Sequence, residues 1–345
     1  MSSSMLHVPA LHSIYRDDFD IGAAVNLKTI VSAKELIAAQ YNSITAENDM
    51  KFERVHPEEE VYTFDAADRI ADFAGQHGMK LRGHTLVWHN QTSDWVFTGK
   101  DGSPADRELL LSRMKSHIDT VVGRYKGRVY CWDVVNEAIE DKSGVWLRDS
   151  RWLQQIGDDF IAKAFQFAHE ADPNALLFYN DYNECHPDKR DKILRLIRSL
   201  KEQDVPIHGI GLQGHWNLYD PSLETIREAL EKYAELGLKL HITELDVSMF
   251  EFNDGRTDLL EPTEEMLERQ AELYEKVFRL FREYKDVITS VTFWGAADDY
   301  TWLHDFPVRS RKNWPLLFDE NHQPRASFWK IVKGTSMGKG ENNHE

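Results

Sequence analysis

The chain has 345 residues, 41% of them hydrophobic, and a formal net charge of −17. That acidity argues against nucleic acid or an anionic membrane as partner, since either would repel it, and no apolar run reaches membrane-spanning length. No Pro-, Gly- or Ser-rich stretch is long enough to separate two domains, so one domain is expected.

Residues 1–14 read as a lead-in whose first seven lack the basic segment and apolar core of a secretory leader. The two cysteines, Cys131 and Cys185, form no disulfide framework and read as reduced, buried thiols. Together these features favour the cytoplasm.

Short apolar or β-branched runs then recur at 20–25, 43–47, 80–88, 128–137, 175–180, 207–215, 238–245 and 290–296, each followed by a helical pattern. The segment 222–236 carries Leu223, Ile226, Leu230 and Tyr233 at spacings of three and four. Pro221 stands before it and Gly237 after it, as expected of a helix. The segment 263–284 repeats the pattern with Met266, Leu267, Leu273, Val277, Phe278 and Phe281. Eight strand-then-helix units over 15–333 specify an α/β fold, a single-domain (β/α)8 TIM barrel, more economically than an open doubly wound sheet. Residues 334–345 read as a polar, frayed tail. In such a barrel the chemistry collects at the C-terminal ends of the strands.

The strand ends carry an unusual set of side chains. They include Glu47, Asn48 and Lys51; His84, Trp88 and His89; Asn136 and Glu137; Asn180, Tyr182 and Asn183; Gln213 and His215; Glu244; and Trp294. Asn, Gln, Glu and His supply the paired donors and acceptors that sugar hydroxyls need. Indole faces bury the apolar side of a sugar ring while leaving a polar edge. Of the 10 tryptophans, Trp88, Trp216, Trp294 and Trp302 fall on or just after strand ends. Trp294 and Trp302 read as ligand-facing. Trp132, of opposite strand parity to Glu137, and Trp329, in the last helix, read as core.

Within that rim, Glu137 and Glu244 each close an apolar strand, three strands apart. A facing pair of carboxyl groups is the minimal equipment for glycosidic bond cleavage, one protonating the leaving oxygen and the other attacking or stabilising the sugar carbon. The acid, Glu137, is expected to hold its proton through desolvation and the neighbouring charge of Glu244. Glu244 has to stay ionised, with His215 and Asn183 as expected donors.

A metal-dependent hydrolase on the same barrel is the rival suggested by 15 histidines. His84 and His89, five apart, are expected on opposite faces of their strand, and His241 and Glu244, three apart, likewise. No metal site is therefore expected, and no phosphate- or nucleotide-binding motif points to a cofactor. The Asn90-Gln91-Thr92 sequon carries no expected role in a cytoplasmic protein. The apolar stretch 247–252 reads either as a loop packed on its own barrel or as a contact surface, and the oligomeric state stays open.

The chain resembles the family 10 glycoside hydrolases, the endo-β-1,4-xylanases. The matching segments are Arg82-Gly83-His84-Thr85-Leu86-Val87-Trp88-His89, Trp132-Asp133-Val134-Val135-Asn136-Glu137, Asn180-Asp181-Tyr182-Asn183, Gly209-Ile210-Gly211-Leu212-Gln213-Gly214-His215 and Ile242-Thr243-Glu244-Leu245-Asp246. Phe293-Trp294-Gly295 and Trp302-Leu303 complete the set, in the family's order. Gly214 departs from the Ser or Ala often found before that histidine.

The resemblance implies retaining double displacement, with Glu137 as acid/base, Glu244 as nucleophile and their carboxyl groups about 5–5.5 Å apart. It implies that Asn136 binds the hydroxyl beside the reacting carbon and that His215 orients Glu244. Glu47, Asn48, Lys51, His84, Trp88, Gln213, Trp294 and Trp302 would line the glycone side. Tyr182 would stack on the aglycone sugar, with Asn180 as a weaker candidate beside it. The implied substrates are xylo-oligosaccharides or xylan fragments, as in the family's intracellular branch. An exo-acting β-xylosidase, a β-1,4-glucan hydrolase and a non-catalytic sugar-binding barrel share these residues and remain open alternatives.

Overall fold

The computed structural model describes residues 8–337. Nine strands occur among them: β1 Asp20–Val25, β2 Ser43–Ala46, β3 Lys80–Trp88, β4 Val129–Asn136, β5 Leu176–Asp181, β6 Gly209–Leu212, β7 His215–Asn217, β8 Lys239–Ser248 and β9 Ile288–Phe293. Neighbours pair in parallel from β6 back through β5, β4, β3, β2 and β1 to β9 and β8, and a β6–β8 pairing closes the ring. Eight strands thus form a closed parallel barrel with helices between them, the (β/α)8 fold that the sequence pattern indicated.

The ninth strand corrects one expected boundary. The run 207–215 is not continuous: β6 stops at Leu212, the chain turns through Gly214 at φ +74°, and β7 resumes beside the far end of β8. A positive φ favours glycine, and a Cβ at Gly214 would sit 3.1 Å from Ile242 Cγ2. The turn brings His215 into register with Asp246 rather than leaving it on the β6 line.

The helices follow their sequence signals. Leu223–Ala234 is capped by Ser222, whose Oγ accepts from Thr225 N at 3.1 Å, and Glu264–Glu283 by Thr263, which accepts from Met266 N at 3.2 Å. Each buries its apolar stripe against the barrel, with Ile226, Leu230 and Tyr233 in one and Tyr274, Val277, Phe278 and Phe281 in the other. At the chain ends the expected limits move outward. Leu11 is buried in a short helix Leu11–Ile14, and the last helix runs Ala326–Met337, beyond the expected boundary at 333. Tyr15 Oη ties the two together by donating to Ile331 O at 2.9 Å. Residues 1–7 and 338–345 lie outside the described residues.

Inside the barrel, below its mouth, lies a polar layer. Arg82 on β3 donates to Asp133 on β4 through both Nε and Nη2, and its Nη1 reaches His241 Nδ1 across the barrel at 2.7 Å. Burial pushes the Asp133 carboxyl up, but the Arg82 charge and the hydrogen bonds from His84 and Arg82 outweigh it and hold it at about 2. Burial and the Arg82 charge together keep His241 neutral, so Nδ1 accepts from Arg82 while Nε2 faces Thr289 Oγ1 at 2.9 Å. Outside the barrel wall Trp132 is buried against Gly83, where an added Cβ would fall 2.1 Å from the indole. Trp329 packs half-buried on the core, and Cys131 and Cys185 are both buried and unpaired.

Candidate active site

The C-terminal ends of the strands surround a cleft of about 920 Å³. All thirteen candidate side chains border it: Glu47, Asn48, Lys51, His84, Trp88, Asn136, Glu137, Tyr182, Gln213, His215, Glu244, Trp294 and Trp302. Two departures from regular strand geometry place the carboxylates. Pairing shifts register on β4 between Asp133 and Val135 and on β8 between Ile242 and Leu245. As a result Asp133 and Asn136, and likewise His241 and Glu244, all point into the barrel, although counting by two puts one of each pair outside. His241 sits a layer deeper, against Arg82. A shift on β3 between His84 and Val87 has the same effect on His84 and His89, which both border the cleft. The expected opposite facing of these histidine pairs is therefore not what the structure shows.

Glu244 is buried and held from three sides. Asn180 Nδ2 donates to its Oε1 at 2.9 Å, His215 Nε2 to its Oε2 at 2.9 Å, and His84 Nε2 stands 3.9 Å from Oε1. Burial raises this carboxyl, but the His215 hydrogen bond and the charges of His84 and His215 bring it below the usual range, so it is ionised. His215 is in turn fixed by Asp246, whose Oδ1 lies 3.0 Å from Nδ1. Burial alone would lower its pKa, yet the Asp246 charge and the hydrogen bonds to Asp246 and Glu244 raise it to about 10. The ring is an imidazolium across neutral pH. Asp246 also accepts from Trp302 Nε1 at 2.8 Å.

Asn183, the donor expected beside His215, makes no such contact; Asn180, completely buried on β5, supplies it instead. Asn180 consequently is not an aglycone contact. Its Nδ2 also reaches Asn136 Oδ1 at 2.9 Å, and its Oδ1 accepts from Thr243 at 2.6 Å.

Glu137 closes β4 with φ +57° and sits half-buried at the mouth. Its carboxyl receives Trp88 Nε1 at 2.8 Å, Gln213 Nε2 at 3.0 Å and Asn136 Nδ2 at 3.2 Å. These three N–H groups fix the direction of the carboxyl. Asn136 and Asn180 thus form a continuous bridge from one carboxyl group to the other.

One wall of the cleft is charged. Lys51 Nζ donates to Asn48 Oδ1 and Gln91 Oε1, both at 2.9 Å, and lies 4.7 Å over the Trp88 ring. Glu47 accepts from Asn26 Nδ2 at 2.9 Å. Burial raises the Glu47 carboxyl, opposed by Asn26, Lys51 and Tyr300. The other wall is aromatic: Trp302 stacks on Phe306 at 4.8 Å, and Phe306 meets the exposed Phe252 at 5.9 Å. The stretch 247–252 is mostly barrel packing, since Val247, Met249 and Phe250 are buried, and only Glu251 and Phe252 at its end are exposed, Phe252 by 63%.

Gln91, Asn26, Arg148 and Asp246 were missed as site residues. For Asp246 a signal existed, two residues beyond Glu244 on the same strand, and for Asn26 too, directly after β1; Gln91 and Arg148 sit in loops without periodicity. Among the described residues no three His, Cys, Asp or Glu side chains gather closely enough to hold a metal ion.

A parallel barrel with two carboxyl groups facing a wide polar and aromatic cleft defines a glycoside hydrolase. Residues 10–334 match glycosyl hydrolase family 10, and the chain belongs to that family. It is 60% identical over 325 residues to endo-1,4-beta-xylanase B of Paenibacillus barcinonensis, covering 94% of this chain and 98% of that protein. It is equally 60% identical over 326 residues to an endo-1,4-beta-xylanase of Geobacillus stearothermophilus, with 94% and 98% covered. Among solved structures, xylanase XynB from Paenibacillus barcinonensis with a conduramine derivative superposes with a TM-score of 0.94 at 59% identity, covering 95% of this chain and 99% of that one. A mutant structure in complex with xylotriose gives a TM-score of 0.92 at 53% identity, covering 94% and 99%.

Proposed function

We infer that the chain is a retaining endo-β-1,4-xylanase acting on xylan-derived xylo-oligosaccharides. The observation that carries the mechanism is the state of Glu244: ionised, fixed by His215 and Asn180, and bridged through Asn136 to a second carboxyl at the mouth. In the first step the Glu244 carboxylate attacks the anomeric carbon. The bond to the glycosidic oxygen breaks as Glu137 gives that oxygen its proton, leaving a glycosyl ester on Glu244. In the second step Glu137, now a carboxylate, takes a proton from water as the water oxygen attacks the same carbon and frees Glu244.

Asn136 binds the hydroxyl next to that carbon. Glu47, Asn48, Lys51, Trp88, His84, Gln213, Trp294 and Trp302 line the glycone side, and Tyr182 offers its ring to the leaving sugar. The chemistry calls for no cofactor. The two buried, unpaired thiols support a reducing compartment, and we propose the cytoplasm, which fractionation with an antibody to the chain tests.

Xylohexaose digestion followed by proton NMR tests the reading. Internal cleavage with the β-anomer appearing first is expected. Release of xylose alone, or the α-anomer first, refutes it. Glu244→Ala is expected to abolish turnover; undiminished hydrolysis would exclude Glu244 as nucleophile.

A further inference from the structure

Arg148 belongs to no site motif, yet it joins the proton donor to the surface offered to the leaving sugar. The chain beyond Glu137 folds back on itself: Arg148 N donates to Ala138 O at 2.8 Å, and Ile139 pairs antiparallel with Leu147. This return lays the guanidinium under Glu137. Its Nε donates to the Glu137 carbonyl at 2.9 Å, and its Nη2 donates to Tyr182 Oη at 2.8 Å and to Ile139 O at 3.3 Å. Tyr182 Oη donates onward to Asp141, which also takes Lys189 Nζ at 2.8 Å. Lys189, buried, stands 3.1 Å from Asp181 and closes the loop back to β5.

Other groups also hold this stretch, with Tyr179 Oη accepting from the amides of Ala138 and Ile139. Those contacts fix the residues after Glu137. Arg148 alone among the described contacts binds the carbonyl of Glu137 itself, and it joins that carbonyl to the hydroxyl of Tyr182. Glu137 has a left-handed backbone, so its carboxyl direction depends on how that peptide is held.

We propose that Arg148 is a positioning residue for proton transfer: one rigid guanidinium fork sets the Glu137 carboxyl and the Tyr182 ring in a common frame. A sugar seated on Tyr182 then presents its glycosidic oxygen to the acid. A planar fork with fixed donor directions suits this role, and a lysine would not reproduce it. The inference rests on the assignment of Glu137 as acid/base.

The test compares two substrates sharing a xylobiosyl glycone. In xylotriose the leaving sugar needs a proton; in 2,4-dinitrophenyl β-xylobioside the leaving phenolate does not. For Arg148→Met, kcat/KM on xylotriose is expected to fall about 10- to 100-fold, the scale of a misplaced catalytic group. On the dinitrophenyl substrate kcat/KM should stay within about 2-fold, because bond cleavage there needs no acid. Its kcat should still fall, since Glu137 acts as base when water opens the glycosyl ester.

Equal losses in kcat/KM on both substrates would mean that Arg148 merely supports the fold and would overturn the proposal. Arg148→Lys keeps the charge and loses the fork. If Arg148→Met does not fold, this variant decides: a kcat/KM loss confined to xylotriose, with a lower kcat on the dinitrophenyl substrate, sustains the proposal, and no difference between substrates defeats it. Failure of the unaltered protein to cleave either substrate would instead refute the xylanase reading.

Discussion

Replacing His215 by Asn tests how Glu244 stays ionised. The ring lies between Asp246 Oδ1 at 3.0 Å and Glu244 Oε2 at 2.9 Å, and its pKa moves from an ordinary 6.5 to about 10. At about 1.4 kcal/mol per tenfold change in proton affinity, that is about 5 kcal/mol favouring the charged ring, with Asp246 the larger contributor. Glu244 supplies the smaller share of that preference, and by reciprocity the same hydrogen bond and charge favour the ionised Glu244. Asn cannot span both carboxylates and carries no charge. Burial would then act on Glu244 opposed by His84 and Asn180. Because Glu244, as the proposed nucleophile, works ionised, a higher pKa moves the acid limb of kcat/KM upward. The expected profile for His215→Asn, measured with an aryl xylobioside from pH 4 to 8, has its acid limb displaced to higher pH. The loss should therefore be much greater at pH 5 than at pH 7.5. A uniform loss at every pH, with the limb unmoved, would show that His215 only packs against Glu244.

The same ring makes stability sensitive to alkali. A group whose pKa rises on folding stabilises fully below its unfolded value, so this contribution is present below about pH 6.5 and is lost towards about pH 10. Urea midpoints should fall between pH 7 and 10.5 more steeply in the unaltered protein than in His215→Asn; parallel curves would contradict this. Asn180→Ala removes a donor from the ionised nucleophile and breaks the bridge to Asn136, and kcat/KM should drop roughly 10- to 100-fold, as for a hydrogen bond to a charged group worth about 1.5–3 kcal/mol. A change below about threefold would mean His215 suffices alone. Gly83→Ala drives a methyl into the Trp132 ring and should cost about 1–3 kcal/mol of stability in a denaturant melt, where an unchanged midpoint would contradict the close approach.

The eight strands and the two glutamates were legible because alternation, apolar runs and turn residues are local properties. The neighbours of Glu244 were less so. Asn180 and Asn183 lie three residues apart at one strand end, and only the extension of β5 to Asp181 and the cross-barrel approach to β8 decide which faces the nucleophile. Parity failed for His241 and Glu244 for a related reason. A register shift between Ile242 and Leu245 adds a residue to the count, and such shifts follow from barrel closure rather than from the segment's own sequence. Gln91 and Arg148 were invisible because each acts from a loop whose course is set by contacts distant in the chain.

The polar layer gives these local features a common logic. Two histidines address Glu244, and each has its other ring nitrogen fixed by an aspartate: His84 by Asp133 at 2.9 Å and His215 by Asp246 at 3.0 Å. The two arms are unequal in reach. His215 is in hydrogen-bond contact with Glu244, whereas His84 stands 3.9 Å away. Asp133 is also committed to Arg82, so much of its charge is spent below the mouth. Asp246 has only Trp302 besides His215 among the described contacts, and its charge remains available to hold the imidazolium. The near arm therefore governs the ionisation of Glu244. The far arm carries a ring that borders the cleft and whose Nε2 has no hydrogen-bond partner among the described residues. One repeated aspartate–histidine motif thus yields an electrostatic support on one side of Glu244 and an open, cleft-facing ring nitrogen on the other, and a buried arginine underlies only the second.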